Sequence, residues 1–230
     1  MKKHWYLILM IGVFGCKSEV KNNTIEPPKN KDEQIFNKKT QQKPLVKEEK
    51  TFITQENVTS FLMDYGKKNP EKLCVIETKF GEIEIELFEN TPLHRANFIY
   101  LVKNEYFNTT YFHRVVKDFI IQGGNSDETK TQKSRNALGD YLIPAELNKN
   151  SHHYGAIAAA RDWENNPKKL SNPFEFYVIQ NKQGSHHLDG KHTVFGKVTK
   201  GMDIVDLIAN EPTDEGEYPL MNVKIKIRLK

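Results

Sequence analysis

The stretch Tyr111–Asn125, YFHRVVKDFIIQGGN, sets one charged side chain, Arg114, among aromatic and β-branched neighbours. A guanidinium stays protonated at physiological pH and carries five N–H donors in a rigid fork, so in an apolar segment it is costly unless it has a partner or a task. Two kinds of chemistry fit: a structural ion pair at a strand edge, or a charged donor that serves catalysis. The two apolar runs on either side of Lys117-Asp118, closed by Gly123-Gly124, read as short strands meeting at a turn.

The remaining reactive residue types offer less. His152-His153 and His186-His187 are adjacent pairs with no Cys or acidic ligand at metal spacing, so they read as solvated loop histidines. No metal or other cofactor is expected. His113 reads as a packed or surface residue rather than a general base. Cys74, in LCVIET, suits a half-buried strand and a packing role.

The elements that would hold Arg114 are mostly short strands. Leu73–Thr78 and Glu82–Phe88 flank Lys79-Phe80-Gly81, and Ile83, Ile85 and Leu87 alternate with Glu82, Glu84 and Glu86, the pattern of a half-buried antiparallel hairpin. Ile157–Ala160, Phe174–Gln180 and Val194–Val198 are further strand-like runs. Val223–Leu229 alternates apolar residues with Lys224, Lys226 and Arg228, which predicts a closing strand with a basic outer face. Thr91 and Pro92 fit the start of a helix with Ala96, Ile99 and Val102 as its apolar stripe; His94 and Arg95 in its first turn are expected to face solvent. Gly201–Ile208 is a second helix. Thr54–Gly66 predicts an extra N-terminal helix, with Thr54 and Asn57 in a capping-box-like relation and Gly66 as its stop. Ser126–Asn136 reads as a polar loop. So many short strands with two substantial core helices predict a mainly β fold, a closed antiparallel barrel.

FHRVVKDFIIQGG closely resembles the signature of the cyclophilin family of peptidyl-prolyl isomerases. Three further blocks follow in the family's order: GAIAAAR (Gly155–Arg161), FEFYVI (Phe174–Ile179) and LDGKHTVFGKVTKGMDIVD (Leu188–Asp206). The resemblance runs from about Leu73 to the C-terminus. It implies an eight-stranded antiparallel barrel capped by two helices, and acceleration of Xaa-Pro bond rotation. That reaction crosses a barrier of roughly 18–20 kcal/mol without any bond to protons or metals, so an enzyme need only bind the twisted amide better than either planar isomer. A donor aimed at the prolyl nitrogen does this, because the nitrogen lone pair becomes basic only when conjugation is lost.

By resemblance the donor is Arg114. Phe119, Ile120, Tyr177, Leu188 and His192 would form the proline pocket, and Gln122, Ala160 and Arg161 would bind the neighbouring peptide backbone. Strict alternation would not set Phe119 on the face of Gln122, so that grouping is the resemblance's alone. Three positions depart from the better-known pattern. Glu175 stands where a glutamine is usual, and a carboxylate in an apolar site needs a partner, for which Arg114 or Arg161 is available. Tyr177 replaces a phenylalanine at the pocket floor. His187 replaces a tryptophan, which predicts weak binding of cyclosporin-like macrocycles.

The chain has 230 residues and a formal net charge of +4 from 34 basic and 30 acidic side chains, so no broad nucleic-acid footprint is present. Its start reads as an address: Lys2 and Lys3, an apolar run Trp5–Phe14 too short for a comfortable span, then Val13-Phe14-Gly15-Cys16, which resembles a bacterial lipobox. Residues 1–16 are therefore expected to be a lipoprotein signal peptide ending at a lipidated Cys16, residues 17–53 a disordered linker, and residues 54–230 the folded domain. A linker of about 36 residues would span roughly 30–40 Å. The expected partners are proline-containing polypeptides and, through the acyl anchor, a lipid bilayer of the bacterial cell envelope, with the domain outside the cytoplasm as a monomer. The competing readings are a proline-peptide-binding or chaperone module with little turnover, and, from the barrel alone, a carrier of apolar ligands.

Overall fold

The computed structural model describes residues 52–230; the expected leader, its Cys16 and linker residues 17–51 lie outside them. In chain order the elements are β1 (Ile53–Thr54), α1 (Val58–Lys68), β2 (Leu73–Thr78), β3 (Gly81–Leu87), α2 (Pro92–Lys103), β4 (Tyr111–Val116), β5 (Ile120–Asn125), α3 (Thr129–Leu138), β6 (Gly139–Asp140), β7 (Ala156–Ala159), β8 (Phe176–Ile179), β9 (Val194–Lys200), α4 (Met202–Ala209), β10 (Val223–Lys224) and β11 (Lys226–Leu229).

Nine of these strands form one antiparallel sheet in the order β10-β4-β5-β8-β7-β9-β3-β2-β11. Its two terminal strands are consecutive in the chain, separated only by the buried Ile225, whose N–H donates to Thr110 O at 3.0 Å. One segment thus pairs with β4 at one side and β2 at the other, so the sheet nearly closes on itself as eight staves. The closing strand predicted over Val223–Leu229 is this broken stave. Its outward cations meet the acids of the hairpin: Arg228 lies 2.7 Å from Glu77 and 3.1 Å from Glu82.

Alternation places Ile83, Ile85 and Leu87 inside the barrel at 1% exposure or less, with Phe98, Phe107 and Phe176 in mutual ring contact from α2, the following turn and β8. Cys74 is fully buried there, and its thiol is pushed up to about 12 chiefly by that burial, so it is a packing residue. Among the described residues, no helix is long and apolar enough to cross a membrane.

Several local expectations are corrected. Ile53, assigned to the linker, is fully buried and pairs with Gly139, so the ordered unit already includes it. The N-cap position of α1 is Asn57 rather than Thr54, and its side chain does not cap the helix: Oδ1 accepts from Thr54 N–H at 2.9 Å, the reciprocal half of the expected capping box. Gly66 does not stop α1, which continues to Lys68; a Cβ there would stand 3.0 Å from Ala96 Cβ, so the glycine allows α1 to approach α2. His94 and Arg95 do not face solvent. Glu146, far along the chain, accepts from the N–H groups of Leu93 and His94 and from the His94 ring, supplying the cap that the Thr91 side chain does not. Arg95 donates to three carbonyls at the end of α1 and just beyond it. The stretch read as a loop, Ser126–Asn136, contains most of α3. It has no apolar stripe because it is anchored by polar groups: Thr131 bonds Thr109 O, and Arg135 donates to Tyr106 Oη and Asn125 Oδ1.

Candidate active site

Arg114 and Gln122 are direct cross-strand partners on β4 and β5, in a ladder whose register shifts on either side of Phe112. A bulge of this kind re-aims side chains beside it. Phe119 precedes β5, at a turn where Asp118 has φ 59°, and its carbonyl accepts from Gln180 N–H at 2.9 Å. It is therefore free of the alternation that governs β5. Farther along, Gly124 has φ +99°, and a Cβ there would lie 2.1 Å from Phe174 O, while a Cβ on Gly123 would lie 2.6 Å from Ile225 Cδ1, so both positions favour glycine.

These strands form one wall of a cavity of about 530 Å³. Ile120, Tyr177 and Leu188 are its buried apolar surfaces, and Phe119 stacks on His187 at its rim with centroids 5.7 Å apart. Gln122, Ala160, Arg161 and His192 complete the predicted set, and Arg114 opens onto the same space. Of the residues predicted for the site, only Glu175 lies outside the lining. Desolvation pushes the His192 imidazole down to about 4, so the ring is neutral. Its Nδ1–H donates to Ala159 O at 3.2 Å, while its buried Nε2 has no partner among the described residues.

The tyrosine at the pocket floor has a structural explanation. Tyr177 Oη lies 3.1 Å from His152 Nε2, and His152 Nδ1 lies 2.7 Å from Asp189 Oδ1. His152 was read as a solvated loop histidine; it is fully buried, and burial holds its ring neutral. The tautomer that satisfies both contacts has Nδ1–H donating to Asp189 and Nε2 accepting from the tyrosine hydroxyl. Burial alone would raise the Asp189 carboxyl, but donors from Ser151, His152 and His186 outweigh it and hold the group well below the usual range.

Glu175 has partners, though not the arginines expected. Gln122 Nε2 donates to its Oε2 at 2.9 Å, Asn125 Nδ2 donates to its Oε1 at 3.0 Å, and His113 and Arg135 stand within 3.5 and 3.9 Å. Burial would raise this carboxyl, but these contacts outweigh it and leave it lowered. Because the carboxylate can only accept, it fixes the amide of Gln122 with its NH₂ turned to Glu175, leaving Oε1 as the atom available to a ligand.

Arg114 itself is half-paired. Its Nε donates to Glu217 Oε2 at 2.6 Å, with the two side chains 35% and 43% exposed. Such exposure makes this a solvated surface pair, not a buried charge pair that would take the guanidinium out of use. The Nη hydrogens have no hydrogen-bond partner among the described residues, so the remaining donors stay available. Glu217 is held in place by its backbone, whose carbonyl accepts from Val115 N–H at 2.9 Å.

Two residues at the site were missed. Glu217 lies in a turn with no motif and a φ of 65°, and its role depends on a long-range approach to β4. Trp163 lines the cavity from the loop after Arg161, and nothing beside it in the sequence marks it out.

Residues 73–228 match the family model described as cyclophilin type peptidyl-prolyl cis-trans isomerase/CLD. The chain is 39% identical over 140 residues to a peptidyl-prolyl cis-trans isomerase of Acinetobacter baylyi, covering 60% of this chain and 72% of that protein. It is 34% identical over 153 residues to the isomerase CYP18-2 of Arabidopsis thaliana, covering 65% and 88%. It is 36% identical over 165 residues to peptidyl-prolyl cis-trans isomerase-like 2 of Rhizopus delemar, covering 70% of this chain but only 29% of that protein. In fold it is similar to a cyclophilin type isomerase of Cryptosporidium parvum, solved also in the presence of the dipeptide Ala-Pro (TM-score 0.59, 24% identity; in that form 69% of this chain and 99% of the other are covered). With the nearly closed barrel, Arg114 and Arg161 on its apolar cavity and a family model spanning most of its length, the chain belongs to the cyclophilin-type peptidyl-prolyl cis-trans isomerases.

Proposed function

We propose that Arg114 is the catalytic residue of this isomerase, that the cavity floored by Tyr177, Ile120 and Leu188 holds the proline ring, and that Gln122 Oε1 and Arg161 position the peptide beside it. The carrying observation is that Arg114 opens onto the apolar cavity with its Nη hydrogens uncommitted among the described residues. When the Xaa-Pro amide twists, its nitrogen pyramidalises and gains a lone pair that accepts from the guanidinium; in either planar isomer that lone pair is delocalised and accepts poorly. The interaction therefore strengthens in the transition state and lowers the barrier rather than merely tightening binding. No proton is transferred. The matching experiment is turnover of an Xaa-Pro peptide by wild type and Arg114→Ala.

The same proposal places the enzyme outside the cytoplasm, held to a bilayer by lipid on Cys16, with exported polypeptides as substrates, in a monomeric form. What supports this is the order of Lys2 and Lys3, the apolar run Trp5–Phe14 and Gly15-Cys16. Metabolic labelling with a radioactive fatty acid is expected to mark the wild-type chain and not Cys16→Ser; equal labelling of both would refute the anchor. A holder of proline segments with little turnover is the second reading, favoured by the Arg114–Glu217 pair, and the turnover assay separates the two.

A further inference from the structure

We infer that Trp163 forms the wall of a subsite for an aromatic side chain next to the client's proline. This rests on the cavity being the proline site. The indole is 60% exposed, far more than a packing residue of its size, yet it makes two ring contacts. The Arg161 guanidinium carbon stands 4.4 Å from the ring, and that guanidinium is itself fixed, Nε donating to Lys191 O at 2.8 Å and Nη1 to Asp162 O at 2.9 Å. The indole also meets the His192 ring nearly edge-on, with centroids 5.0 Å apart and planes at 70°. His192 in turn touches Tyr177 at the floor, so the indole is continuous with the pocket rather than a stray surface group.

Two features select the occupant. Indole and imidazole meeting at a steep angle form a corner into which a third ring fits with one stacked and one edge contact, the geometries that aromatic pairs favour. Arg161, already against the indole, adds a cation to the wall, which again favours a π face over an aliphatic chain. A small residue such as alanine would leave the indole wet. Elsewhere on the lining His187 is stacked on Phe119, so its ring face is already partnered, unlike the exposed indole.

The test compares two series of proline peptides with the full-length protein, one varying the residue before proline between Ala and Phe, the other the residue after it. In at least one series wild type is expected to prefer Phe over Ala in kcat/KM, and Trp163→Ala to reduce that ratio about fivefold, the scale of one aromatic pair. Trp163→Phe should restore most of it. A ratio unchanged by Trp163→Ala in both series, in an enzyme that still turns over the Ala peptides, overturns the subsite and leaves the isomerase reading intact. Loss of wild-type turnover on every peptide would instead refute the reading on which the subsite rests. In a full-length chain carrying Trp5→Phe, Trp163 is the sole tryptophan, and its emission should shift when a Phe-containing proline peptide binds. No shift at saturation would count against the contact.

Discussion

Glu217 holds Arg114 by one nitrogen only, Nε to Oε2 at 2.6 Å, across a boundary between the barrel wall and a loop that is fixed to β4 by a backbone hydrogen bond. An arginine with a free fork and an anchored Nε has fewer rotamers to search when the prolyl amide twists, so the acid orients the donor rather than competing for it. Replacing Glu217 by Ala is expected to lower kcat/KM about three- to tenfold, while Glu217→Gln, whose amide oxygen still accepts from Nε, keeps most of it. A rise in kcat/KM for Glu217→Ala would show that the acid occupies the guanidinium at the substrate's expense. Thermal stability should hardly move, since exposed pairs contribute about 0–1 kcal/mol.

Glu175 is the hub for Gln122, Asn125, His113 and Arg135, and its loss strands buried donors. Glu175→Ala should therefore destabilise the protein by about 1–3 kcal/mol in denaturant titrations and raise KM, because Gln122 is no longer oriented. Glu175→Gln keeps an acceptor for one neighbour but removes the charge facing His113 and Arg135, and should lie between the two. Wild-type stability and KM in both variants would remove Glu175 from the account.

The hydroxyl of Tyr177 serves His152, not the ligand. Tyr177→Phe leaves a buried imidazole nitrogen unsatisfied, at a cost of about 1–2 kcal/mol in unfolding free energy. A double change with His152→Phe would remove the need for the hydroxyl, so the two effects should be strongly non-additive. Simple additivity would contradict the Tyr177–His152–Asp189 chain.

Acid should unfold this protein in two stages. The folded His192 imidazole is depressed to about 4 from 6.5, and His152 is lowered too, so the unfolded state binds protons first. Stability is then complete above pH 6.5 and declines as pH falls towards 4, by about 3 kcal/mol for His192 alone. Glu175 and Asp189 are lowered carboxyls, and their contribution is lost below about pH 4.5 as they are protonated. Melting temperatures across pH 3–8 measure both stages; a flat profile between pH 7 and 4 would refute the first.

Much of the barrel was legible because its signals are local. Glu82–Phe88 alternates cleanly, and Thr91-Pro92 announces α2. The break of the last stave at Ile225 was not legible, since it depends on two partners at opposite sides of the ring. Polar tertiary contacts escaped for the same reason: α3 carries no apolar stripe, the buried His94 is met by Glu146 from 52 residues away, and the buried His152 by Asp189 from 37 residues away. At the site, the residues shared with family motifs were placed together, whereas Glu217 and Trp163 were not, because each acts through loop geometry that no spacing rule encodes.

The most direct test is the isomerisation rate of a short Xaa-Pro peptide, followed by a protease-coupled or spectroscopic readout, with wild type and Arg114→Ala at equal folded concentration. Loss of a preorganised donor to a charge-developing atom typically lowers kcat by about 10²–10³, and a fall of that size in Arg114→Ala with binding of the peptide retained is the predicted result. Turnover of Arg114→Ala within about threefold of wild type, a difference well under the 1.4 kcal/mol that marks a factor of ten, would contradict the assignment of Arg114 as the group that stabilises the twisted amide.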